Sequence, residues 1–398
     1  MADVHIGPGA VNYDAAAHNP GDTIFLDAGA YTQLYIRNAV GTLADPITII
    51  NSGGQVVVNT AEVIGLYLTT SEHVHCTGTG SADPYGILIQ TSAWAGVSIR
   101  QVSYVEFDHV HVDGVPGIGI QSKPSTADQY DTLIHDCKIN DVGREGIYIG
   151  DSNFSTSGLG CYDTVIYNCD LDVIAWDGIQ VCGAPSGINV YYNSVVDAGN
   201  AASVPGNSQA GLIIDSYCDG GTWYGNWIED CYRGIYIHAT VTDSPEIYQN
   251  VIIDSNNIAI LGFGGDATKI YNNTIVHSAG EGINIGAWLS NVVIVNNIVL
   301  ETIGASITSG GTENHNDTKE EGYAEATYGF VNFAADDYHL TPPCDGIDAG
   351  IDMGLPYQGT APDLGAYEYE TIPPSVTVHA ASALAVDSPC TRIAGRRQ

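Results

Sequence analysis

The fold is decided by residues 211–250, which read GLIIDSYCDGGTWYGNWIEDCYRGIYIHATVTDSPEIYQN. Within this stretch Gly211-Leu-Ile-Ile returns as Gly234-Ile-Tyr-Ile, and Asn226, which precedes an aliphatic strand, returns as Asn250. Each Gly motif alternates aliphatic residues over a short run that ends in turn residues, which indicates a short β-strand. Two motifs that advance together predict stacked structural repeats.

Both motifs extend along most of the chain, at spacings of 23 to 33 residues. The Gly motif begins at Gly86, Gly117, Gly146, Gly178, Gly211, Gly234 and Gly282, with Asn257-Ile-Ala-Ile filling the gap before the last. The Asn motif contains Asn193, Asn226, Asn250, Asn273 and Asn297. Such a short repeat cannot bury its own apolar face, whereas parallel stacking at ~4.8 Å can. The sequence therefore predicts an all-β parallel β-helix of about eleven coils, roughly 50 Å long.

Other repeat folds fit less well. A β-propeller needs repeats of about 40–45 residues, and the frame of a leucine-rich repeat is missing. The Asn motif predicts a column of stacked side chains, each in a left-handed turn, and its spacing places Cys169 and Cys137 in the same column. A disulfide between these two cysteines and a pair of buried thiols both fit the stacking distance.

Charge and cysteine content exclude several classes of function. The chain has 46 acidic and 11 basic residues and a formal net charge of −35. This balance argues against binding to nucleic acid or an anionic membrane surface, because both require a positive field. No apolar run approaches the ~18 residues of a transmembrane segment. Nine scattered Cys, with no CxxC pair, do not match a zinc site of the usual spacing.

The two ends carry a resemblance to a known superfamily. Near the start stands Pro20-Gly-Asp-Thr-Ile, and near the end Pro362-Asp-Leu-Gly-Ala-Tyr. These segments and the coils between them resemble the secreted right-handed parallel β-helix proteins of bacteria, the pectate lyase-like superfamily. The resemblance implies a right-handed helix over 20–370 and a short N-terminal helix at 10–18, within a cap of residues 1–19. It also implies export and an extracellular or cell-surface location; 371–398 are expected to be a linker or truncated tail.

The outward face of the Gly-motif strands is the predicted site. Counting from the motif Gly, the second and fourth residues point outward. Asp215 and His238 lie one coil apart, and Arg233 precedes the His238 strand. We expect His238 as general acid/base, Asp215 as its charge partner and Arg233 as the group that neutralises an anion. The predicted substrate-binding residues are Tyr148 and Tyr236 as stacking surfaces, Gln180 and Asn284 as hydrogen-bonding groups, and Glu145 and Asp177 as nearby carboxylates.

These features predict an extracellular carbohydrate-active protein whose partner is a polysaccharide or cell-surface glycan. We expect an enzyme, either a polysaccharide lyase or a glycoside hydrolase. The sequence nevertheless lacks the characteristic motifs of polygalacturonases, of uronan epimerases, and of alginate and chondroitin lyases. A non-catalytic surface, adhesion or filament-forming protein is the alternative, followed by a phage tailspike-type receptor-binding module. Because the chain is strongly acidic, calcium is the candidate cofactor that would bridge its carboxylates to an anionic sugar. No organic cofactor is expected, and the oligomeric state stays open.

Overall fold

The computed structural model describes residues 3–201, 209–218, 220–241, 244–320 and 327–369. The chain winds into a right-handed parallel β-helix with three faces, which confirms the predicted fold. We name them the glycine face, the tyrosine face and the third face. In the described residues the glycine face has twelve successive strands, eleven of them after residue 20. No helix in the described residues is long and apolar enough to cross a membrane.

The early strands bend through corners, so that one strand contributes to more than one face. These are Gly9–Asp14, Thr23–Arg37, Ile47–Asn59, Ile64–Thr77 and Ala95–Asp108. The later strands of the glycine face are Ile118–Lys123, Ile147–Gly150, Ile179–Cys182, Leu212–Ile214, Ile235–Ile237, Ile260–Gly262, Ile283–Ile285 and Ile307–Thr308. The tyrosine face has Val4–Ile6, Gln129–His135, Cys161–Tyr167, Asn189–Tyr191, Thr222–Tyr224, Glu246–Tyr248, Lys269–Tyr271, Val293–Val295 and Thr312–Asn314. The third face has Ile87–Thr91, Val110–Asp113, Lys138–Val142, Asp170–Ile174, Ser194–Ala198, Trp227–Glu229, Val251–Ser255, Thr274–Ser278, Ile298–Thr302 and Asp317–Glu320.

One apolar core fills the interior of the rod. Alternate residues of each strand point inward and stack on the equivalent residues of the next turn, as Ile179 does on Leu212 and Val181 on Ile214. The resulting cluster of buried side chains runs from Ile6 to Val299 without a break. A single turn presents only a few apolar side chains, so burial requires the turns above and below it.

The predicted Asn column is confirmed, and it lies at the corner between the tyrosine face and the third face. The side-chain oxygen of Asn250 accepts the backbone N–H of Asn226 (3.0 Å) and its side-chain NH₂ (2.9 Å). Asn250 in turn donates to Asn273 (3.0 Å) and to the Trp223 carbonyl (2.8 Å). Asn193 and Asn297 repeat the pattern, so the column satisfies the corner's backbone groups.

One detail of the column differs from the sequence prediction, and a second resolves an alternative that the sequence left open. The left-handed conformation belongs to the residue before each Asn, with φ of 55° at Tyr192 and 53° at Gln249, and not to the Asn itself. Cys169 does continue the column, because its backbone N–H donates to Asn193 (3.0 Å). Cys137 and Cys169 are both buried free thiols in the structure, which favours a pair of buried thiols over a disulfide.

A ladder of glycines marks the start of the strands on the glycine face. Its members are Gly65, Gly96, Gly119, Gly146, Gly178, Gly211, Gly234 and Gly282, with Ala259 in place of one glycine. A Cβ on Gly178 would lie 2.4 Å from the Gly211 carbonyl oxygen, so the turns pack too closely there for any side chain.

Three of the predicted motifs were misaligned with this ladder. Gly86 precedes a strand of the third face, because Ile87 pairs with Val56 and Val110. Gly117 and Asn257 lie two residues before the true positions, which are Gly119 and Ala259. A shift of two residues leaves an alternating pattern unchanged, so the sequence did not reveal the error.

The predicted N-terminal helix at 10–18 is wrong. Residues Gly9–Asp14 form a strand, and Val11 and Tyr13 pair with Leu34 and Ile36 of the next turn. Inward-facing Val11 extends the apolar core, and alternation of this kind suits a strand better than a helix. The segment assigned to the cap, residues 1–19, thus contributes the first turn of the β-helix.

The C-terminal part of the predicted rod has a different structure. The stacked turns end at Asp317–Glu320, and an antiparallel pair, Phe330–Asn332 and Asp337–Leu340, follows with a short 3₁₀-helix, Phe333–Ala335, between its strands. With residues up to 369 it packs on the outside of the third face, against Trp227, Val251, Ile253, Val276, Ile298 and Leu300. The predicted tail at 371–398 lies outside the described residues.

Replacing Asn250 by Ala is expected to lower the free energy of unfolding by about 2–3 kcal/mol, because two buried donors of Asn226 lose their acceptor and the buried oxygens of Asn273 and Trp223 lose a donor. Urea unfolding followed by the fluorescence of buried Trp223 measures the change. The control is Asn291→Ala, which removes an exposed hydrogen bond to Asp266 and should cost under about 0.5 kcal/mol. Equal losses in the two variants would contradict a structural role for the column.

Gly178→Ala is expected to destabilise the protein by about 3 kcal/mol, because the new Cβ would meet both the Gly211 carbonyl and Val195 at 2.4 Å. Gly7→Ala is the matched control, since no atom lies within 4 Å of the position of its Cβ. Thermal unfolding of the two variants tests the difference. A Gly178→Ala protein with an unchanged midpoint would rule out close packing along the ladder.

Candidate functional site

The outward residues of the glycine face form continuous columns across the turns. Tyr148 pairs with Gln180, Gln180 with Ile213 and Ile213 with Tyr236. The column then continues through Leu261, so Asn284 lies two turns beyond Tyr236. The neighbouring column brings Asp215 and His238 together on consecutive turns, as the sequence predicts.

His238 lies in a small network of polar groups. Its Nδ1 atom is 3.9 Å from Asp215 Oδ1, and Ser216 bridges the two, donating to Asp215 (3.0 Å) while its hydroxyl lies 3.3 Å from His238. The Thr240 hydroxyl is 3.0 Å from the same nitrogen, and the Thr240 amide is 3.4 Å away. Gln180 donates its side-chain N–H to the other oxygen of Asp215. The imidazole is thus held through Nδ1.

Glu145 adds a second carboxyl group to this region. Its side chain is only 6% exposed, and Oε2 has no hydrogen-bond partner among the described residues. Burial raises the pKa of Glu145, the charge of Asp215 raises it further, and Arg144 acts against both. A buried carboxyl group with a raised pKa, close to an acid of different environment, is typical of a general acid.

Arg233 lies against aromatic rings and makes no ion pair recorded among the described residues. Its guanidinium lies 5.0 Å from the ring centre of Tyr232 and 5.4 Å from that of Tyr236. Nε and Nη1 are buried and have no hydrogen-bond acceptor in the described part of the chain. Burial raises the pKa of the Tyr236 hydroxyl, and Asp215 adds to this effect while Arg233 opposes it. A held cation with unused donors is suited to bind an anionic group.

Several of the predicted roles do not fit the structure. Tyr148 is 8% exposed and Tyr236 is 6% exposed, so neither ring can stack on a sugar as predicted. The Tyr148 hydroxyl contacts Cys182 and accepts the Ser152 amide, which ties it to the following loop. These rings are buried because loops after each strand cover the outward face, an effect that alternation alone does not reveal.

The remaining two predicted residues lie at the margin. Asp177 is fully buried and accepts the Ala210 amide (3.2 Å), so it braces a turn. Asn284 donates to Glu281 (2.9 Å), two turns from Tyr236. The structure therefore brings together Gln180, Asp215, His238, Arg233 and Tyr236. Glu145 lies three turns before His238 and is linked to this group only through the charge of Asp215.

The structure also reveals aromatic surfaces that the sequence reading missed. Trp288 is 68% exposed, and its ring stacks on Phe263, which follows His238 on the next turn (centroids 6.1 Å apart). At the other end Arg144 is sandwiched between Trp94 and Trp176, 4.2 and 4.3 Å from the ring centres. These tryptophans come from different turns and loops, so no local motif brings them together.

A column of basic residues was missed as well. Arg37, Arg100 and Lys123 stack with Thr69 in the outward column that later contains Asp215 and His238. Arg37 pairs with Asp14 (3.3 Å) and Lys123 with Asp151 (3.2 Å). In a chain with 11 basic residues, three in one column form a local strip of positive charge. The sequence did not reveal this column, because the motifs at Gly86 and Gly117 in this region were misaligned.

Comparisons with known proteins agree with this fold. A family model described as "Periplasmic copper-binding protein (NosD)" matches residues 162–316. The alginate lyase from Paenibacillus sp. str. FPU-7 is 15% identical, over 79% of this chain and 98% of that one, with a TM-score of 0.52. Pectate lyase Pel9A is 17% identical, over 89% and 90% of the two chains, with a TM-score of 0.49. No curated protein shows significant similarity. The class of protein is therefore a right-handed parallel β-helix, similar in fold to this alginate lyase.

Glu145→Gln is expected to make the protein more stable at pH 7. Because the pKa of Glu145 is raised in the folded state, its ionisation costs stability as pH rises from the unfolded value of about 4.3 through the folded value. The advantage of the variant should therefore vanish near pH 4. Thermal unfolding of both proteins between pH 4 and 8 measures it, and a variant that is less stable than the parent at pH 7 would contradict the buried, unpaired carboxyl group.

Proposed function

We propose that this protein is an extracellular enzyme that binds and cleaves a uronate-containing polysaccharide on its glycine face. The observation that carries the proposal is the group of Asp215, His238 and Arg233 on the outward side of the glycine face. Unused buried polar groups of this kind are costly in a protein that has only a structural role.

The ends of this surface are suited to a long sugar chain. Exposed Trp288 supplies an apolar ring face beyond His238, and Trp94, Arg144 and Trp176 supply a second one several turns away. The basic column lies on the N-terminal turns of the same face, around Trp94, and it lowers the repulsion that a net charge of −35 imposes on an anionic polymer. An extended polysaccharide can therefore contact several successive turns, which fixes its orientation at the reacting bond.

The chemistry that suits these groups is β-elimination. Arg233 would bind the uronate carboxylate, which makes the proton on the adjacent carbon more acidic. The hydroxyls of Thr240 and Ser216 can accept the Nδ1 proton of His238, which leaves the Nε2 lone pair to take the substrate proton. The C–O bond to the next sugar then breaks and leaves a double bond, and the proton that His238 has taken up can be returned to the departing oxygen.

Calcium is the metal ion that this proposal includes, as a candidate bridge between the protein and the sugar. The described residues of the glycine face bring no three metal-ligating side chains within reach of one ion. Calcium would then be held partly by the carboxylates of the sugar itself, so it belongs in the assay as a variable. The copper named in the description of the matching family has no such ligand group in the described part of 162–316, and we do not extend it to this chain.

Digestion of a panel of polyuronates and neutral glycans, with and without calcium, tests the proposal. Absorbance of the unsaturated product and reducing-end release distinguish elimination from hydrolysis. With an active substrate, His238→Ala and Arg233→Ala should each lower kcat by about 10²–10⁴. The control His277→Ala, which removes a histidine facing Asp254 on the third face, should leave the rate unchanged.

The outcomes separate the candidate functions. Reducing ends without unsaturated product would indicate a hydrolase that uses Glu145 and Asp215. Binding of a glycan without any cleavage would indicate the alternative, a non-catalytic surface or adhesion protein. Full activity in both the His238 and the Arg233 variants would place the reaction elsewhere on the molecule.

A further inference from the structure

The tyrosine face carries a ladder of stacked aromatic rings, and at the N-terminal end of this ladder the tyrosines give way to histidine and carboxylate side chains. Tyr167, Tyr191, Tyr224, Tyr248 and Tyr271 stack on consecutive turns with ring centres 4.8 to 5.1 Å apart. His135 stacks on Tyr167 at 4.7 Å and continues the ladder. Before it, the turns carry Asp108 and, in the adjacent column, Glu106 and His75.

Three of these side chains converge on one point, and His135 lies beside them. His75 Nε2 lies 2.5 Å from Asp108 Oδ2, and the ligand-type atoms of His75, Glu106 and Asp108 all lie within 4.8 Å of one another. His135 Nε2 lies 3.9 Å from the same Asp108 oxygen and 3.2 Å from Glu106 Oε1. One imidazole nitrogen and two carboxylates therefore face a common centre on two consecutive turns, and a second imidazole stands at its edge on the next turn.

The surroundings fix the orientation of this cluster. The Asp108 side chain is 3% exposed, and its other oxygen, Oδ1, is bound by Thr77 and His109 (both 2.5 Å). The second nitrogen of His135, Nδ1, lies 2.6 Å from Asp136, and the ring is held against Tyr167. Carboxylates that bind the far nitrogen of a histidine, and so aim the near one, are typical of metal centres.

The centre of the cluster is accessible from one side only. Glu106 and His75 are about half and one-third exposed, so the centre is buried below and open to solvent above. A small ion can reach it without any movement of the backbone.

We propose that His75, Glu106, Asp108 and His135 form a binding site for a divalent transition-metal ion. Two imidazoles with carboxylates suit Zn²⁺ and its neighbours, whereas Ca²⁺ prefers a shell of oxygen atoms. Binding would replace the hydrogen bond between His75 and Asp108 and release protons. The ion would link three turns of the rod. The site lies on a different face from the proposed polysaccharide site and does not depend on that function.

Calorimetric titration of the metal-free full-length protein with Zn²⁺ tests the site, with Co²⁺ as a spectroscopic probe. We expect one equivalent of Zn²⁺, and a visible Co²⁺ absorption band that Zn²⁺ abolishes. His75→Gln and His135→Gln should each weaken Zn²⁺ binding by at least about tenfold, and the double variant should abolish it. His5→Gln is the matched control, because His5, on the first turn of the same face, lies 2.7 Å from a single carboxylate, Asp27, and stacks on Phe25.

Circular dichroism of each variant separates loss of binding from loss of fold, and the histidine variants leave buried Asp108 in place. The proposal is overturned if the parent protein takes up no Zn²⁺, or if the double variant binds it as tightly as the parent. An equal loss in His5→Gln would show non-specific binding to the acidic surface, which also overturns it. Binding of Ca²⁺ at the same site with equal affinity would contradict the assigned class of metal.

Discussion

Each turn of this chain must satisfy its backbone donors and acceptors with the turns on either side, because a single turn has neither a partner strand nor a core of its own. On the faces this requirement is met by parallel strand pairing. At the corner between the tyrosine face and the third face it is met by the buried column that includes Asn193, Asn226, Asn250, Asn273 and Asn297. The column fixes which residue of one turn lies above which residue of the next, so every outward column depends on it.

The same stacking explains why functional groups occur in columns. Residues far apart in sequence, such as Asp215 and His238, become neighbours one strand spacing apart. Positions that point outward are free of the packing constraints of the core, so they can carry His, Arg and carboxylate groups that the apolar core would exclude. Loops between the strands can then cover or expose them, and they differ in length from turn to turn. Here they bury Tyr148 and Tyr236 but leave Trp288 exposed.

The two polar clusters differ in how their charges are satisfied. On the tyrosine face, Asp108 is surrounded by donors and its pKa falls to about 2. On the glycine face, burial and a neighbouring carboxylate raise the pKa of Glu145, and Arg233 keeps unused donors. The first arrangement resembles a preformed set of ligands for a cation. The second stores unfavourable electrostatic energy, which a bound anionic substrate would relieve.

The sequence by itself determined the parallel β-helix, the Asn column and the pairing of Asp215 with His238, because alternation and a recurring spacing encode stacked strands directly. Tertiary structure decided the alignment of Gly117 and Asn257, since a shift of two residues preserves alternation, and it placed the motif of Gly86 on the third face. It also decided that Gly9–Asp14 is a first turn and not a cap, because that outcome depends on pairing with Leu34 and Ile36. The cluster around Asp108 and the Trp94–Arg144–Trp176 sandwich could not be predicted from the sequence, because their members belong to separate turns. The contacts between them depend on the conformations of loops, and those conformations do not follow a repeating sequence pattern.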